Sequence, residues 1–399
     1  MKKLGYLCGA PRVSTRPDAE AGGPRTQALG VIGGFKALGW EVKPFVLGDR
    51  LPPVIAGKGT DKLMTANPVM TLMTDLARTG LGVINARRCR RELGGQVDWV
   101  YERFATLQSL GWIFQRQGVP WILETSGPFY HEAKEERKSL LLTGLARRLE
   151  VEAYRQCDVL VCVSQALKEF VIRECEIDAK KVVVAPCGVD TTFFDASLYP
   201  PYRIFEDFTV GYVGFLIAWQ GLDILFKAVS ELKKEGLSVN VVVVGDGPAQ
   251  HEWECLADDL GLSECVRFTG RISLDEVPSY IAGFDLGYSG HLPLKIGSMY
   301  HSPLKLYEYM AMGKPVLASA YEDACRLVEG KQTGFLYNPG DVQDLKRALR
   351  EAYQSRPHLV EIGELARREI VKNHSWVARI RDMISQTEEI LGKGIRYGA

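Results

Sequence analysis

The stretch FTVGYVGFLIAWQGLDILFKAVSELKKEGLSVNVVVVGDG, residues 208–247, contains two apolar runs separated by a helical pattern. The runs, 208–214 and 239–247, are rich in valine, which favours strands that are buried on both faces of a parallel sheet. Between them, apolar residues at helical spacing predict a helix that begins near Gly221. Strand, helix and strand in this order predict an α/β domain.

The same alternation extends along the chain in both directions. Short apolar runs rich in Val, Ile, Leu and Tyr recur, with amphipathic stretches between them. Outside the opening stretch they lie at 4–8, 42–47, 97–102, 120–124, 158–164, 181–186, 265–270, 284–289, 314–319 and 333–337. The fold class predicted is therefore α/β, with two Rossmann-like, doubly wound parallel sheets.

The length of 399 residues favours two domains of about 200 residues each. A segment rich in Pro and aromatic residues, 186–207, has neither period and is typical of a linker. We predict an N-terminal domain over 1–200 and a C-terminal domain over 201–375. The amphipathic segment 376–399 either ends the second domain or crosses back to the first. Because ligands of open α/β sheets bind outside the carboxyl ends of the strands, we expect the site in a cleft between the domains.

Composition excludes several classes of protein. Lys plus Arg equals Asp plus Glu at 49 each, so the charge balance does not indicate a nucleic-acid partner. The nine cysteines are scattered and never form C-x-x-C, which is typical of a reducing cytosol rather than of a zinc or disulfide framework. No apolar window approaches the roughly 18 residues of a membrane span, and the N-terminus has no signal-peptide pattern. We therefore expect a cytoplasmic protein.

The segment SPLKLYEYMAMGKPVLAS, which starts at residue 302, carries the clearest chemical pattern. Ser302 followed by Pro303 predicts an N-cap hydroxyl and a first helical residue. The free amides of this helix start, together with Lys305, would form an anion site for a diphosphate. Glu308, three residues further on, could accept both hydroxyls of a ribose. The alternative is a capped helix with a surface Lys–Glu pair.

Seven segments occur in a fixed order along nearly the whole chain. They are AGGPRTQALGVIGGFKALGWEV, VYERF, VCVSQALKEFV followed by KVVVAPCGVDTTFF, VGYVGFLIAWQGLDILFKAVSEL, VVVVGDGPAQHEWE, CVRFTGRISLDEVPSYIAGFDLGYS and SPLKLYEYMAMGKPVLAS. In this order they resemble family 4 of the retaining glycosyltransferases, which have the GT-B fold. A single segment would be weak evidence, and seven in order are strong.

The resemblance implies two Rossmann-like domains that face each other across a cleft. It implies transfer of a hexose from a UDP- or GDP-sugar to a glycan, a lipid-linked acceptor or a small molecule, with retention. No enzyme nucleophile is then required, which suits a sequence without a paired-carboxylate motif. The nucleotide-sugar is a substrate and no cofactor is expected. Because no D-x-D motif is present, no obligatory metal is expected either.

Carried over residue by residue, the resemblance places backbone N–H groups of the first glycine loop near the donor diphosphate. It places the glycine after the first strand of the second domain near the phosphates, and an arginine near the nucleobase. It places the helix that starts near residue 303 at the diphosphate and the ribose. The donor-binding positions implied are Gly22, Gly23, Gly214, Gln220, Arg271, Ser302, Leu304, Lys305 and Glu308.

The sequence indicates the catalytic group less clearly than it indicates the donor-binding residues. Family members often have a His at the end of a first-domain strand, which here reads PWILETSGPFYHEAK. Glu124 at the strand end and His131 a turn later are predicted contacts of the donor sugar or the acceptor. Lys305 is assigned to the catalytic set because charge on the leaving diphosphate must be neutralised. Glu102, at the end of a neighbouring strand, either has a function or forms a buried pair with Arg103.

Four positions depart from the family pattern. Phe215 and Gln220 stand where many members have Arg and Lys, Tyr300 replaces the first Glu of an E-x7-E pair, and Cys187 replaces an Asn. These departures motivate an alternative, a non-catalytic relative that binds nucleotide or glycan without transfer. A dinucleotide-dependent dehydrogenase is disfavoured, because no G-x-G-x-x-G lies between the first strand and the first helix.

Two basic stretches, 86–95 and 131–155, have two interpretations. They could make a peripheral contact with an anionic membrane, since enzymes of this type often use membrane-bound acceptors. They could also be solvated helix faces. The acidic residues interspersed in the second stretch favour solvated faces.

Overall fold

The computed structural model describes residues 1–394 apart from 20–21, 53–66, 137, 295–298 and 331. The chain divides into two compact units, each with its own parallel sheet. Unit 1 comprises Met1–Pro186, Tyr300–Ser302 and Trp376–Ala399, and unit 2 comprises Cys187–Met299 and Pro303–Ser375.

Unit 1 is built on six parallel strands in the order β2-β1-β3-β4-β5-β6. The strands are β1 (Lys3–Cys8), β2 (Glu41–Val46), β3 (Trp99–Arg103), β4 (Trp121–Thr125), β5 (Val159–Cys162) and β6 (Val182–Val184). Each lies within two residues of a predicted apolar run at both ends. The order reverses between β1 and β3, and the carboxyl ends of the strands lie along one edge of the sheet.

The helices of unit 1 that precede residue 187 are α1 (Gly23–Ala37), α2 (Pro68–Leu93), α3 (Trp112–Gln115), α4 (Phe129–His131), α5 (Thr143–Gln156) and α6 (Gln165–Cys175). A π-helical turn, Glu132–Glu136, continues α4. The starts of α2 and α6 follow ordinary capping chemistry, because Asn67 accepts from the N–H of Val69 and Ser164 accepts from the N–H of Leu167.

Unit 2 has six parallel strands in the order β12-β11-β10-β7-β8-β9. The strands are β7 (Thr209–Val213), β8 (Asn240–Val244), β9 (Val266–Gly270), β10 (Leu286–Ser289), β11 (Val316–Ser319) and β12 (Gly334–Tyr337). This is the dinucleotide-fold order, with the first strand of the unit, β7, between β8 and β10. The switch point, where a ligand is expected, therefore lies between β7 and β10.

The helices of unit 2 cover both faces of this sheet. They are α7 (Leu222–Lys234), α8 (Gln250–Asp259), α9 (Val277–Gly283), α10 (Leu304–Ala311), α11 (Glu322–Val328), α12 (Val342–Gln354) and α13 (Leu359–Asn373). Apolar side chains of β7, β8, α7 and α12 form one buried cluster. The predicted helix near Gly221 is α7, and Gly221 itself precedes it with φ +66°.

The final helix, α14 (Trp376–Gly394), belongs to unit 1 and packs on α1. Two glycines of α1 make this close approach possible. A Cβ atom on Gly30 would lie 2.1 Å from Cε2 of Trp376, and one on Gly34 would lie 2.7 Å from Cγ1 of Ile380. The sequence did not decide whether segment 376–399 packs on the second domain or on the first. Its periodicity shows that one face of the helix is buried, but not which element covers that face.

We expect Gly30→Ala to lower the free energy of unfolding of unit 1 by about 1–3 kcal/mol, because the added methyl group overpacks the contact with Trp376. Gly33→Ala is the matched control. It lies in the same helix with nothing within 4 Å of its Cβ position, so it should be neutral or stabilising by up to about 1 kcal/mol. Urea denaturation followed by circular dichroism measures both, and equal midpoints for the two variants would contradict the close contact.

Candidate functional site

Helix α10 is anchored at the switch point of unit 2 by one tyrosine. The hydroxyl of Tyr309 accepts a hydrogen bond of 2.7 Å from the backbone N–H of Val213, at the carboxyl end of β7. The helix also packs on β10 and β11. Its first turn, with Leu304 and Lys305, is thereby fixed relative to the strand ends that flank the switch point.

Lys305 is buried, with 9% of its surface exposed. Its Nζ lies 4.2 Å from the centroid of the Tyr212 ring and donates a hydrogen bond to Oε1 of Gln220. Burial lowers the pKa of Lys305 to about 7, against the opposing effect of Glu308. Burial also raises the pKa of Glu308 to about 7, against the effect of Lys305. An ammonium and a carboxyl group therefore both titrate near neutral pH within one turn of α10.

The predicted capping of this helix is wrong. The N-cap is Pro303, with φ −74° and ψ 112° and no side-chain cap, and the helix begins at Leu304. The extended ψ of Pro303 places it outside the helix, so Ser302 lies one residue before the cap. The first turn carries no acidic residue. The amides at the start of a helix have no partner within it, so the predicted anion site does not depend on the misplaced cap.

Two glycines with positive φ bring the ends of β7 and β8 together. Gly214 has φ +150°, and a Cβ atom there would lie 3.4 Å from Nζ of Lys305. Gly245 has φ +130°, and a Cβ atom there would lie 2.0 Å from the carbonyl oxygen of Gly214. The backbone beside the Lys305 ammonium is thus free of side chains. Phe215, which follows, is 59% exposed.

The structure brings Gly214, Gln220, Lys305 and Glu308 together, and it places Arg271 elsewhere. Arg271 is exposed and follows β9, which is two strands away from β7 in the sheet. With neighbouring strands about 4.8 Å apart, this is a separation of about 10 Å between strand ends. An extended ligand could still span that distance.

The glycine loop of unit 1 leads directly into α1. Gly22 is the N-cap of α1, and its carbonyl oxygen accepts from the N–H groups of Arg25 and Thr26 at 3.0 Å each. Its φ of 174° is ordinary extended backbone, so no special conformation requires a glycine. A Cβ atom on Gly22 would meet nothing within 4 Å. Gly22 and Gly23 are exposed, so backbone N–H groups at this helix start are accessible to a ligand.

Glu124 lies in a buried polar cluster. It is 2% exposed, its Oε1 lies 3.0 Å from Nη1 of Arg103, and it accepts from Nε2 of Gln27 on α1. Burial raises its pKa, and the charge of Arg103 opposes that effect. These contacts join α1 to β3 and β4 behind the glycine loop. Direct contact of Glu124 with a substrate stays a prediction.

The alternative assignment of Glu102 to a buried pair with Arg103 is wrong. Successive residues of a strand point to opposite faces of the sheet. Arg103 therefore meets Glu124, its cross-strand neighbour on β4, while Glu102 points to the other face. There the carboxylate accepts from the backbone N–H groups of Leu110 and Gly111 at 2.7 Å each. Burial raises its pKa to about 7.

His131 directly follows two residues that a third buried carboxylate, Glu150, holds in place. It ends α4, whose first N–H groups, from Phe129 and Tyr130, donate to Glu150 at 2.9 and 3.0 Å. The hydroxyl of Tyr154 donates to the same carboxylate at 2.6 Å. Burial raises the pKa of Glu150 to about 8. His131 itself is partly exposed.

The sequence did not single out Glu132, which follows His131. It is 7% exposed, accepts a hydrogen bond of 3.0 Å from the hydroxyl of Tyr300, and lies 3.3 Å from Nε2 of His301. The backbone carbonyl of Tyr300 accepts from Oγ of Ser164 at 2.7 Å. Tyr300 occupies the position of the first Glu of the E-x7-E pair, so a carboxylate lies one hydrogen bond beyond the missing one. The replacement of that Glu by Tyr300 was the one sign in the sequence that another carboxylate, supplied from elsewhere in the chain, could lie nearby.

Among the described residues, no group of three or more His, Cys, Asp or Glu side chains is arranged to hold a metal ion. Metal independence stays a prediction.

Two family models match the chain. The model described as "Glycosyltransferase Family 4" matches residues 21–193, and the model described as "Glycosyl transferases group 1" matches residues 202–369. The two matches lie in unit 1 and unit 2 respectively, apart from the first residues of unit 2.

Relatives of known name are also similar to the chain. Alpha-D-kanosaminyltransferase of Streptomyces kanamyceticus is 25% identical over 66% of this chain and 69% of its own length. GDP-mannose-dependent alpha-(1-6)-phosphatidylinositol monomannoside mannosyltransferase of Mycobacterium tuberculosis is 28% identical over 50% of this chain and 54% of its own length. The first is named as a kanosaminyltransferase and the second as a GDP-mannose-dependent mannosyltransferase.

The fold is shared with solved structures. HepE of Anabaena, solved in complex with UDP, covers 98% of this chain and 100% of its own, with a TM-score of 0.66 and 19% identity. At this identity the likeness shows the fold alone. The two family models and the named relatives show that the chain belongs to glycosyltransferase family 4 and is a glycosyltransferase, and the solved structures show that its fold is GT-B.

Proposed function

We propose that the protein transfers a hexose, with retention, from a UDP- or GDP-sugar to a glycan, a lipid-linked acceptor or a small molecule. The observation that carries this proposal is the buried Lys305 at the switch point of unit 2. Its ammonium lies beside the bare backbone of Gly214 and one helical turn from Glu308.

Lys305 is the proposed partner of the donor diphosphate. A buried ammonium is costly unless an anion compensates it, and the start of α10 adds the partial positive charge of a helix N-terminus. Gln220 orients the ammonium through its side-chain oxygen. The amides of Leu304 and Lys305, with Ser302 before them, contact the phosphates. Glu308 accepts the ribose hydroxyls.

The remaining donor contacts are proposed from position. Arg271, at the end of β9, contacts the nucleobase. Gly22 and Gly23 direct backbone N–H groups of the α1 start at the diphosphate and the reacting sugar, and the space in front of Gly22 supports this role.

Transfer itself follows the retaining course. The acceptor hydroxyl attacks the anomeric carbon on the face from which the diphosphate leaves. The bond from that carbon to the phosphate oxygen breaks, the bond to the acceptor oxygen forms, and the hydroxyl proton passes to the leaving diphosphate. Lys305 stabilises the charge that develops there.

In unit 1, His131 and Glu132 are proposed to contact the sugar or the acceptor. Tyr300 and His301 hold the carboxylate of Glu132 in place. Glu124 is proposed to act indirectly, by fixing Gln27 of α1 behind the glycine loop, because its carboxylate is buried.

The first prediction from this proposal concerns the base of the donor nucleotide. Calorimetry with UDP, GDP, ADP and TDP is expected to show one preferred diphosphate. Glu308→Gln should weaken its binding about 10- to 100-fold, because hydrogen bonds to a charged group are worth about 1.5–3 kcal/mol. Glu361→Gln, an exposed residue of α13, is the control and should leave affinity unchanged. Failure of the folded protein to bind any diphosphate would refute the proposal.

The second prediction concerns pH. Binding of the nucleotide-sugar, whose diphosphate has no titrating proton near neutrality, should be tightest near pH 7. Above pH 7 the free protein loses the proton of Lys305, and below pH 7 it protonates Glu308, so affinity falls on both sides by up to about tenfold per pH unit. Lys305→Arg should remove the alkaline fall and Glu308→Gln the acidic one. A flat profile for the unmodified protein would contradict the assignment.

The third prediction separates transfer from binding alone. With its preferred donor and no acceptor, the protein should release free nucleotide slowly, whereas the non-catalytic alternative suggested by Phe215 and Gln220 releases none. Glu132→Gln should lower kcat about 10- to 100-fold, because the contact of its carboxylate with the sugar or the acceptor is lost, with little change in affinity for the nucleoside diphosphate. Tyr300→Phe keeps the carboxylate and should cost less than tenfold. Full activity of Glu132→Gln would exclude the proposed role of this residue.

A further inference from the structure

Helix α2 presents large apolar side chains to solvent. Of the sixteen large apolar residues described as exposed in the chain, eight lie on this helix. They are Val69, Met70, Leu72, Met73, Leu76, Leu81, Val83 and Ile84, with exposed fractions from 38% to 66%. Contiguous apolar surface of this kind on a folded protein marks an interaction site.

The orientation of α2 is fixed by polar groups on its other face. Asp75 is fully buried and accepts from the N–H groups of Leu141 and Leu142 at 2.8 and 3.0 Å. Asn85 is also buried, and its Nδ2 lies 3.4 Å from Oε1 of Gln108. The helix therefore buries hydrogen-bonded polar residues and turns methionine, leucine and isoleucine outward. Rotating it to bury the apolar face would leave the Asp75 carboxylate and its partners unsatisfied.

Two further apolar side chains are exposed in the segment that is hydrogen-bonded to Asp75 and in the helix that follows it. Leu141, whose N–H is bonded to Asp75, is 50% exposed, and Leu145 at the start of α5 is 37% exposed. From Val69 to Ile84 the apolar stretch is about 22 Å long at 1.5 Å per residue.

Positive charge follows directly. Arg87, Arg88, Arg90 and Arg91 are all exposed in the last two turns of α2. Arg87 and Arg91 continue the outward face of Val69, Met73 and Ile84, because residues three and four apart share one side of a helix. Among the described residues, the acidic side chains of α2 offset this charge only at Arg88. Asp75 is buried, and Glu92 is partly buried and pairs with Arg50 and, at 3.5 Å, with Arg88.

We propose that α2 docks the protein onto an anionic phospholipid bilayer, lying in the interface with its apolar face among the acyl chains. The arginines then meet lipid phosphates. Among the described residues, no helix is long and apolar enough to cross a membrane. The arginine cluster selects this occupant, because a second copy of the same face would bring like charge rather than opposite charge.

This inference deepens the proposed function and rests on it in one respect, that a surface-docked transferase takes a lipid-linked acceptor. The two basic stretches of the sequence, 86–95 and 131–155, are then interpreted differently. The one in α2 contacts lipid because apolar residues adjoin it. Positive charge alone would give a solvated face.

Vesicle sedimentation of the full chain tests the proposal. We expect binding to vesicles of phosphatidylcholine with 30% phosphatidylglycerol and at least tenfold weaker binding to pure phosphatidylcholine. Arg87→Gln with Arg91→Gln should weaken binding to the anionic vesicles roughly 25-fold, at about fivefold per arginine. Met73→Gln with Ile84→Gln should also weaken it at least tenfold. Val360→Gln, 72% exposed on α13, is the control and should bind as the unmodified protein does.

Equal binding of all variants, no binding to anionic vesicles, or a dimer in solution that Met73→Gln with Ile84→Gln dissociates would each overturn the proposal. Nucleotide release from the donor without acceptor is measured on the same variants and should stay unchanged. If vesicles are bound but no donor is cleaved, the proposed function fails alone. If the donor is cleaved and vesicles are not bound, the docking surface fails alone.

Discussion

The candidate site of unit 2 is organised around a lysine ammonium that is held almost out of water. Desolvation opposes the charge of Lys305, and the groups around it compensate only in part: the face of Tyr212, the amide oxygen of Gln220 and the carboxyl group of Glu308. The proposed diphosphate would complete the compensation, which makes this point of the sheet suited to bind an anion. The bare backbone at Gly214 keeps the approach open.

Unit 1 uses buried charge differently. Glu102 and Glu150 each accept two backbone N–H groups from a loop that follows a strand, and Glu124 meets Arg103. These carboxylates fix neighbouring segments of unit 1, namely the turn after β3, the start of α4, and helix α1 through Gln27, so their raised pKa values report burial rather than chemistry. Glu132 differs, because its partners are the side chains of Tyr300 and His301.

The strands were predictable because parallel strands buried on both faces read as continuous apolar runs. Features that depend on distant contacts were not. Glu132 meets a residue 168 positions away, and no local pattern indicates such a pair. Which face of α2 points outward could not be predicted for a similar reason. The direction is set by the hydrogen bond between Asp75 and the backbone of a loop 66 residues later in the chain. The misplaced cap at Ser302 is local. It arises because proline fixes φ but leaves ψ free to be extended, so the helix begins one residue later, at Leu304.

Phe215 and Gln220 stand where many family members have Arg and Lys, and the contacts of Lys305 explain what the change at position 220 does. A second lysine at position 220 would lie against the Lys305 ammonium and lower its pKa further by repulsion. Glutamine turns its oxygen to that ammonium instead, so it supports the single positive charge and directs its neutral amide nitrogen away from it. The remaining cation is thus better stabilised than it would be beside a second one, although the total charge at the switch point is smaller. In the proposed donor site, neutralisation of the diphosphate would then depend on Lys305 and the start of α10, and it would be sensitive to the protonation of one residue.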